Sequence, residues 1–347
     1  MATLEDVYYG NEQDNEKWYI LERILSHNAL INMINGARGF GKTYSVKKKV
    51  LNNFLDKSKQ FIYLRRLDSE VEKVRDTLFN DVLKESKFEG LQITRKGNTY
   101  FADGKECGYI YCLSTDYKNL KSASFPDVTT IIFDEYLIDD TKPSARYLKN
   151  EVQLFMEFLE SVIRTRDDCI VIMMANNFSS INPYTIYFDI DIKAGREFNK
   201  NKTKDVVLQI AKSKAFEEYK TETRLGRLMN GTEYGDYAIK GKYILDSDTF
   251  IEKRPNNSRL ECVFVFPEVT LGLWYLNDTI YISEKHDPNH KIKYTFDLSL
   301  HDVNTLFTNK RGYYVELLID SYKHHRVRFD NQKCKKICEQ YFIKNSY

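Results

Sequence analysis

The first half of the chain alternates short apolar runs with segments of helical periodicity. Four of the runs are rich in Ile, Val or aromatic residues and end in polar residues or glycine, which predicts strands. They are 30–34, 61–64, 129–133 and 169–174. Apolar side chains recur on one stripe over 43–55 and 150–163, which predicts helices. Glycines at 97 and 104 predict the turns of a β-hairpin. Together these elements predict an α/β fold with a mostly parallel sheet and covering helices.

The pattern changes after about residue 195. A charged helical stretch ends at Gly231, and strand-like runs then follow as CVFVF, TLGLWYL and TIYISE. A turn at Asn277-Asp278 joins the last two, and a helix is predicted to close the chain near 331–343. We therefore predict three parts. They are an α/β domain over 1–212, a linker over 213–240 and a mixed α+β domain over 241–347.

Composition adds limits to this picture. The chain has 347 residues, of which 42% are hydrophobic and 14% aromatic, so two folded domains are expected rather than disorder. No run of eighteen apolar residues occurs and the chain starts with acidic and polar residues, so we predict neither a membrane span nor a signal peptide. The six cysteines show no CxxC spacing, which is typical of a reducing cytosol.

The strongest chemical signal is the segment GARGFGKT, which follows the first predicted strand and precedes a predicted helix. Its residues are Gly36, Ala37, Arg38, Gly39, Phe40, Gly41, Lys42 and Thr43. In a GxxxxGKT loop the backbone N–H groups curl around a β-phosphate, and the lysine bridges the β- and γ-phosphates. The threonine hydroxyl is a ligand for Mg²⁺. The segment therefore predicts a binding site for ATP and Mg²⁺.

A second signal is TIIFDE, an apolar strand that ends in two carboxylates. Asp134 is predicted to hold the Mg²⁺ shell, and Glu135 to orient and polarise the attacking water. On local grounds alone, an acidic pair at the end of a strand is a solvated strand end as often as it is a functional pair. A glutamate at this position favours turnover over simple nucleotide holding.

Further polar residues surround the fourth predicted strand. Asn176 ends it and is predicted to sense a γ-phosphate; the alternative interpretation is a turn asparagine before the NPY at 182–184. Arg164 and Arg166 precede the strand at the end of a helix. They could merely complement the carboxyl end of that helix, or one could act as an arginine finger on a neighbouring subunit's nucleotide.

Taken together, the motifs resemble the DNA-packaging motor ATPases of phi29-like small tailed phages. The resemblance is carried by GARGFGKTY, FIYLRR, FPDVTTIIFDEY, RTR, NPY, RLGRLMNGTEYG, FIEKR, TLGLW and RFDNQ, in the same order over nearly the whole chain. It implies a P-loop ATPase domain with a catalytic glutamate, joined to a vestigial RNase H-like domain. It also implies a homomeric ring, commonly of five subunits, which docks on the portal of an empty capsid and pumps double-stranded DNA inward. The resemblance also makes a packaging RNA a possible partner. The protein would work in the host cytoplasm, transiently at the portal vertex, and be absent from the mature virion.

The resemblance also assigns roles by position. The catalytic glutamate falls on Glu135, the magnesium acid on Asp134 and the coupling asparagine on Asn176. The trans-acting arginine falls on Arg164, with Arg166 in reserve, and Lys121 is a second possible trans-acting group. The family pattern is not followed everywhere. At a position where the family has a basic residue, this sequence has Asp68. In the loop after the acidic pair the lysine of the family pattern is displaced to Lys142, which is a possible DNA contact.

Charge and competing functions complete the expectations. Ten basic and four acidic residues lie in 42–75, and nine and four lie in 310–347. Either run could be a solvated face or a nucleic-acid surface. The second domain has no carboxylate inside its central strands, since Glu261, Glu268 and Asp278 lie at strand edges or in a turn. Nuclease activity is therefore not expected. The alternatives to a packaging translocase are a helicase-like ring NTPase and a non-hydrolysing assembly factor of the capsid vertex.

Overall fold

The computed structural model describes residues 15–116, 123–138, 146–176, 182–190, 192, 196–239, 250–267, 269–308, 312–339 and 341. These residues divide into two units. The first contains 15–176 and 188–239, and the second contains 182–187 and the residues from 250 onward.

In the described part of the first unit, nine strands form one sheet. The strands are β1 Ile31–Gly36, β2 Gln60–Arg65, β3 Ile93–Lys96, β4 Thr99–Ala102, β5 Lys105–Cys112, β6 Val128–Asp134, β7 Ile170–Ala175, β8 Phe198–Lys200 and β9 Val206–Ala211. Their order in the sheet is β3-β4-β5-β2-β6-β7-β1-β9-β8. The six strands from β5 to β9 in this order are parallel, and the outer ones are antiparallel. The predicted α/β fold with a mostly parallel sheet is confirmed.

Helices lie before, between and after the strands of this unit. They are α1 Glu22–Leu25, α2 Lys42–Lys57, α3 Asp68–Val74, α4 Glu151–Ile163, α6 Lys214–Glu222, α7 Arg224–Met229 and α8 Glu233–Ala238, with short 3₁₀ helices at Val82–Lys84 and Ser86–Phe88. The stripes predicted from helical periodicity, which include Val46 and Val50 in α2 and Phe155 and Leu159 in α4, are buried. All six residues of β1 and of β9 are buried, as expected for strands covered on both faces.

The four strands predicted in the first half are all present, with ends that differ from the predicted ones by one or two residues. The predicted hairpin is also confirmed, because β3, β4 and β5 pair antiparallel around turns that contain Gly97 and Gly104. The segment predicted as a linker contains α6, α7 and α8, which lie in the first unit.

The second unit is an α+β structure around a mixed sheet. In its described residues the strands are β10 Arg259–Val265, β11 Thr270–Leu276, β12 Thr279–Ser283, β13 Lys293–Thr295, β14 Leu306–Phe307 and β15 Val327–Phe329, in the order β14-β13-β10-β11-β12-β15. The helices are α5 Pro183–Tyr187, α9 Tyr313–Lys323 and α10 Gln332–Cys338, with a 3₁₀ helix at Leu298–Leu300. Three antiparallel strands, β12-β11-β10, continue into the parallel pair β13-β14, which is the strand order of an RNase H-like fold.

Details of the second unit bear on the sequence predictions. Asn277 and Asp278 both have positive φ, 46° and 61°, and form the predicted turn between β11 and β12. Glu261, which was expected to flank its strand, instead lies inside β10, where it is ion-paired with Arg259. Asp278 is ion-paired with Arg326, while Glu268 lies outside the described residues. No group of three or more His, Cys, Asp or Glu side chains that could hold a metal occurs among the residues described. The lack of nuclease activity stays a prediction.

The longest helix among the described residues, α2, has 16 residues. No helix in this part of the chain is both long and apolar enough to cross a bilayer.

Candidate nucleotide-binding site

The carboxyl ends of β1, β6 and β7 lie together at one edge of the first sheet, because these strands are parallel neighbours. β1 continues into the glycine-rich loop and α2, β6 ends at Asp134, and Asn176 follows β7. These elements line a cavity of about 620 Å³. The fold therefore brings the loop, the acidic pair and Asn176 into one site.

Two glycines of the loop have different structural roles. Gly41 precedes α2 with φ of +95°, a backbone conformation that residues with a Cβ atom rarely adopt. Gly36 ends β1, and a Cβ atom there would lie 2.8 Å from the carbonyl oxygen of Ala211 on β9. Gly41 thus allows the turn into the helix, whereas Gly36 allows close packing of two strands.

Lys42 is buried, and its ammonium group is held by the loop itself. It donates to the carbonyl oxygens of Gly36 and Ala37, both at 2.8 Å, and lies 3.5 Å from Oδ1 of Asn176. Burial lowers the pKa of Lys42 to about 7, and the charge of Asp134 opposes part of this shift. An anion in the loop would favour the charged form of Lys42, so the site suits a phosphate.

Asp134 has two carboxylate oxygens with different partners. Oδ1 accepts a hydrogen bond from Oγ1 of Thr43 at 3.4 Å. Oδ2 accepts from the Tyr63 hydroxyl and lies 3.0 Å from Nη2 of Arg65. Burial and the charge of Asp134 raise the pKa of Tyr63, which keeps its hydroxyl protonated as a donor. The Tyr63 and Arg65 contacts therefore orient Asp134 so that Oδ1 faces the loop.

The donor set at this point fits Mg²⁺. Hydroxyl and carboxylate oxygens are the ligands that Mg²⁺ prefers, together with waters and substrate phosphates. Thr43 Oγ1 and Asp134 Oδ1 are close enough to hold one ion between them, beside the phosphate loop.

Glu135 follows Asp134 at the edge of the cavity. Its backbone has φ of +59°, and its carboxylate Oε2 lies 2.6 Å from Nη1 of Arg65. The side chain is more than half exposed, in contrast to the buried Asp134. Arg65 thus bridges the two carboxylates.

A buried ion pair supports the backbone of Glu135 from behind. Arg66 and Glu151 form a two-point pair at 2.8 and 3.1 Å, and both are almost fully buried. The same guanidinium donates to the carbonyl oxygens of Glu135 at 3.3 Å and Tyr136 at 2.5 Å. The loop that carries Glu135 is therefore tied to the first residue of α4.

Tyr63 and Arg65 were not among the predicted site residues. Both lie on β2, which neighbours β6, and the carboxyl ends of parallel strands meet at the same edge of a sheet. The Arg65-Arg66 pair directly after an apolar run was the signal that could have identified them.

Arg164 and Arg166 lie near the opposite edge of the sheet. They precede β7, whose six residues separate them from Asn176 by about five steps of 3.3 Å, or roughly 17 Å. Arg164 is exposed and donates to the carbonyl oxygen of Ala123 at 3.0 Å. Arg166 instead donates to the carbonyl oxygens of Pro126, Val128 and Val162, all within 3.1 Å. Neither arginine lines the cavity of its own subunit.

Two further predicted residues, Lys121 and Lys142, lie outside the described part of the chain. Their roles as a trans-acting group and a DNA contact stay predictions.

Comparison with known proteins identifies the family of the chain. A sequence model described as podovirus DNA encapsidation protein (Gp16) matches residues 13–347. The chain belongs to this encapsidation family. The DNA packaging protein of Bacillus phage phi29 is 35% identical over 337 residues, which cover 95% of this chain and 98% of that protein.

Solved structures of the encapsidation family are also similar. In the bacteriophage phi29 viral genome packaging motor assembly, one chain is 33% identical with a TM-score of 0.76, covering 95% of this chain and 99% of that one. The crystal structure of the N-terminal domain of the phi29 DNA packaging ATPase is also 33% identical, with a TM-score of 0.51, covering 56% of this chain and 96% of that one. The resemblance inferred from the motifs is confirmed.

Proposed function

We propose that the protein is an ATP phosphohydrolase that drives double-stranded viral DNA into a preformed capsid. The observation that carries this proposal is the Asp134–Glu135 pair at the end of β6, beside a complete phosphate loop. The names of the relatives, a DNA packaging protein and a genome packaging motor assembly, support the same function.

The residues of the site divide the work of hydrolysis. The loop and Lys42 bind the phosphates. Thr43 and Asp134 would hold Mg²⁺, which when bound would offset phosphate charge. Glu135 accepts a proton from the attacking water after it leaves Arg65, and Asn176, close to Lys42, contacts the γ-phosphate. These roles are the ones expected for an enzyme that catalyses phosphoryl transfer by positioning the reactants and stabilising charge in the transition state.

The partners and the location follow from the packaging role. We propose a homomeric ring of five subunits, docked on the portal of the procapsid, with a packaging RNA as a further partner. The protein would act in the host cytoplasm, at the portal vertex only during packaging, and would be absent from the mature virion. Arg164, exposed and remote from its own cavity, is suited to reach a neighbour's nucleotide.

The basic run at 42–75 is a weaker candidate for a DNA surface than its charge indicates. Most of its cations are within 4.0 Å of acidic side chains of the same chain. They are Lys47, Lys48, Lys49, Lys59, Arg65, Arg66 and Arg75. Contacts to sliding DNA are therefore expected to be few and directed to phosphates.

A direct test compares the ATPase rate with and without duplex DNA. We expect hydrolysis that duplex DNA stimulates, and DNA binding that needs ATP and ignores base sequence, because the contacts are to phosphates. Affinity for unrelated duplexes should fall with added salt at similar slopes. Absence of hydrolysis would favour the assembly factor, and hydrolysis without filling of empty capsids would favour a helicase-like NTPase.

Lys42→Ala should weaken ATP binding by about 10- to 100-fold, because it removes a charge-assisted contact to phosphate. Titration with a fluorescent ATP analogue measures this affinity. Lys49→Ala is the matched control, because Lys49 lies on the same helix and its ion pair with Glu22 is long, at 4.0 Å. Equal affinity of the Lys42 and Lys49 variants would contradict a phosphate-binding role for Lys42.

A further inference from the structure

Helix α6 packs directly against the phosphate loop through one of its faces. The Phe216 ring lies 4.9 Å from the ring of Phe40, centroid to centroid. One turn later, the Lys220 ammonium donates to the carbonyl oxygen of Arg38. Residues four apart on a helix share a face, so α6 presents both side chains to the loop.

The same ammonium group also reaches α8. Lys220 Nζ donates to the carbonyl oxygen of Ala238, the last residue of that helix, at 2.5 Å. This carbonyl is one of the four at a helix end that have no partner within the helix. A single half-buried cation therefore joins the loop to the end of the helical segment that follows the sheet.

Helices α6, α7 and α8 are packed too closely to move independently over large distances. A Cβ atom on Gly226 in α7 would lie 1.8 Å from the carbonyl oxygen of Lys220. A Cβ atom on Gly235 in α8 would lie 2.0 Å from that of Met229. The joints between the three helices are therefore tight, which is the geometry that coupled movement of α6, α7 and α8 requires.

The ammonium group of Lys220 lies among other cations of the loop. Burial, with the nearby charge of Arg38, lowers the pKa of Lys220 to about 8. Its charge is also among the causes that lower the pKa of Lys42. A polyphosphate in the loop would offset this repulsion, so Lys220 lies where the presence of nucleotide changes its interactions.

We propose that Lys220 is a positioning residue that couples nucleotide in the phosphate loop to the arrangement of α6–α8. The proposal rests on the proposed ATPase function. Lys220 bonds the backbone of the loop through the Arg38 carbonyl and thus acts through the loop. Removing its ammonium group should uncouple the helices while leaving most of the phosphate contacts in place.

The chain contains a natural reporter for this coupling. Of its two tryptophans, Trp18 lies against α6, with ring centroids 6.0 Å from Phe216 and 5.7 Å from Tyr219. A ring atom of Trp18 would lie 3.8 Å from a Cβ atom on Gly41. Trp274→Phe removes the other tryptophan, which lies on β11 in the second unit, so that fluorescence reports on Trp18 alone.

The test compares Lys220→Met, Lys220→Arg and Lys214→Met in the full-length Trp274→Phe chain. Lys214 is an exposed residue at the start of the same helix and serves as the matched control. Equilibrium dialysis with radiolabelled ATP measures binding, and Trp18 fluorescence with and without Mg-ATP measures the response of α6. We expect Lys220→Met to lose the fluorescence response and about tenfold in kcat, with less than threefold loss of ATP affinity. Lys220→Arg should restore both, and Lys214→Met should behave as the parent.

Two results would overturn the proposal. One is a fluorescence response that Lys220→Met retains in full. The other is a loss of response that only parallels a loss of bound ATP, which would make Lys220 a simple binding residue. Failure of the parent chain to bind ATP in dialysis would instead overturn the ATPase function itself, and this is visible before any Lys220 variant is compared.

Discussion

Glu135→Gln should lower the ATPase rate by about 10³-fold or more while leaving ATP affinity nearly unchanged. The amide keeps the size of the side chain but cannot accept a proton from the attacking water, and general-base catalysis contributes about 10²- to 10⁴-fold. The proposed metal ligands are untouched, because Thr43 Oγ1 and Asp134 Oδ1 bond each other without Glu135. Steady-state turnover and titration with a non-hydrolysable fluorescent analogue measure the two quantities separately.

Asp134→Asn is the contrasting variant for this prediction. It changes a side chain that Tyr63, Arg65 and Thr43 all contact, so Mg²⁺-dependent affinity should fall together with turnover. If Glu135→Gln lost as much affinity as Asp134→Asn, Glu135 would be a structural residue of the site and not its base.

Arg164→Ala should abolish turnover in the ring, by about 10³-fold or more, although each subunit still binds nucleotide in its own pocket. The defect would arise in the ATP site of the neighbouring subunit, where the γ-phosphate loses a cation that stabilises the transition state. Mixing Arg164→Ala subunits with Glu135→Gln subunits should restore partial ATPase activity. Some interfaces of the mixed ring then combine an intact Glu135 with an intact Arg164.

The mixed ring separates action on a neighbour from action within one subunit. If Arg164 served its own pocket, every pocket in the mixture would lack one group and no activity would return. Arg166→Ala is the matched comparison. Its guanidinium donates to three backbone carbonyls, so this variant should mainly lower the melting temperature. Complementation by Arg166→Ala instead of Arg164→Ala would move the trans-acting role to Arg166.

Much of the fold was predictable because local signals agreed with the global structure. The strands of the parallel sheet are buried on both faces, so they are continuous apolar runs that end where the chain reaches the site. The apolar stripes of α2 and α4 were recognisable in the same way, from their helical periodicity. The role of 213–240 was not predictable from periodicity, because the close packing of α6, α7 and α8 depends on Gly226 and Gly235, which read locally as helix breakers.

The site was predictable where one segment carries the chemistry and less so where separate strands meet. The phosphate loop and the Asp134–Glu135 pair are contiguous motifs. Arg65 and Lys220 approach them only through the tertiary structure. The basic pair after an apolar run marks Arg65 as a candidate, but the local sequence does not identify the carboxylates as its partners. The strand order that makes β2 a neighbour of β6 is what brings Arg65 to Glu135.

The ion pair between Arg66 and Glu151 has a consequence for how a ring would work. Glu151 begins α4, and Arg164 directly follows its last residue, so the helix spans about 20 Å at 1.5 Å per residue. At one end Arg66 donates to the carbonyls of Glu135 and Tyr136, and at the other end lies Arg164, the proposed finger. A shift of the Glu135 loop on hydrolysis would therefore displace the arginine offered to the next subunit. The order in which successive subunits hydrolyse ATP would then be determined within each subunit, because one helix, α4, would connect two consecutive ATP sites.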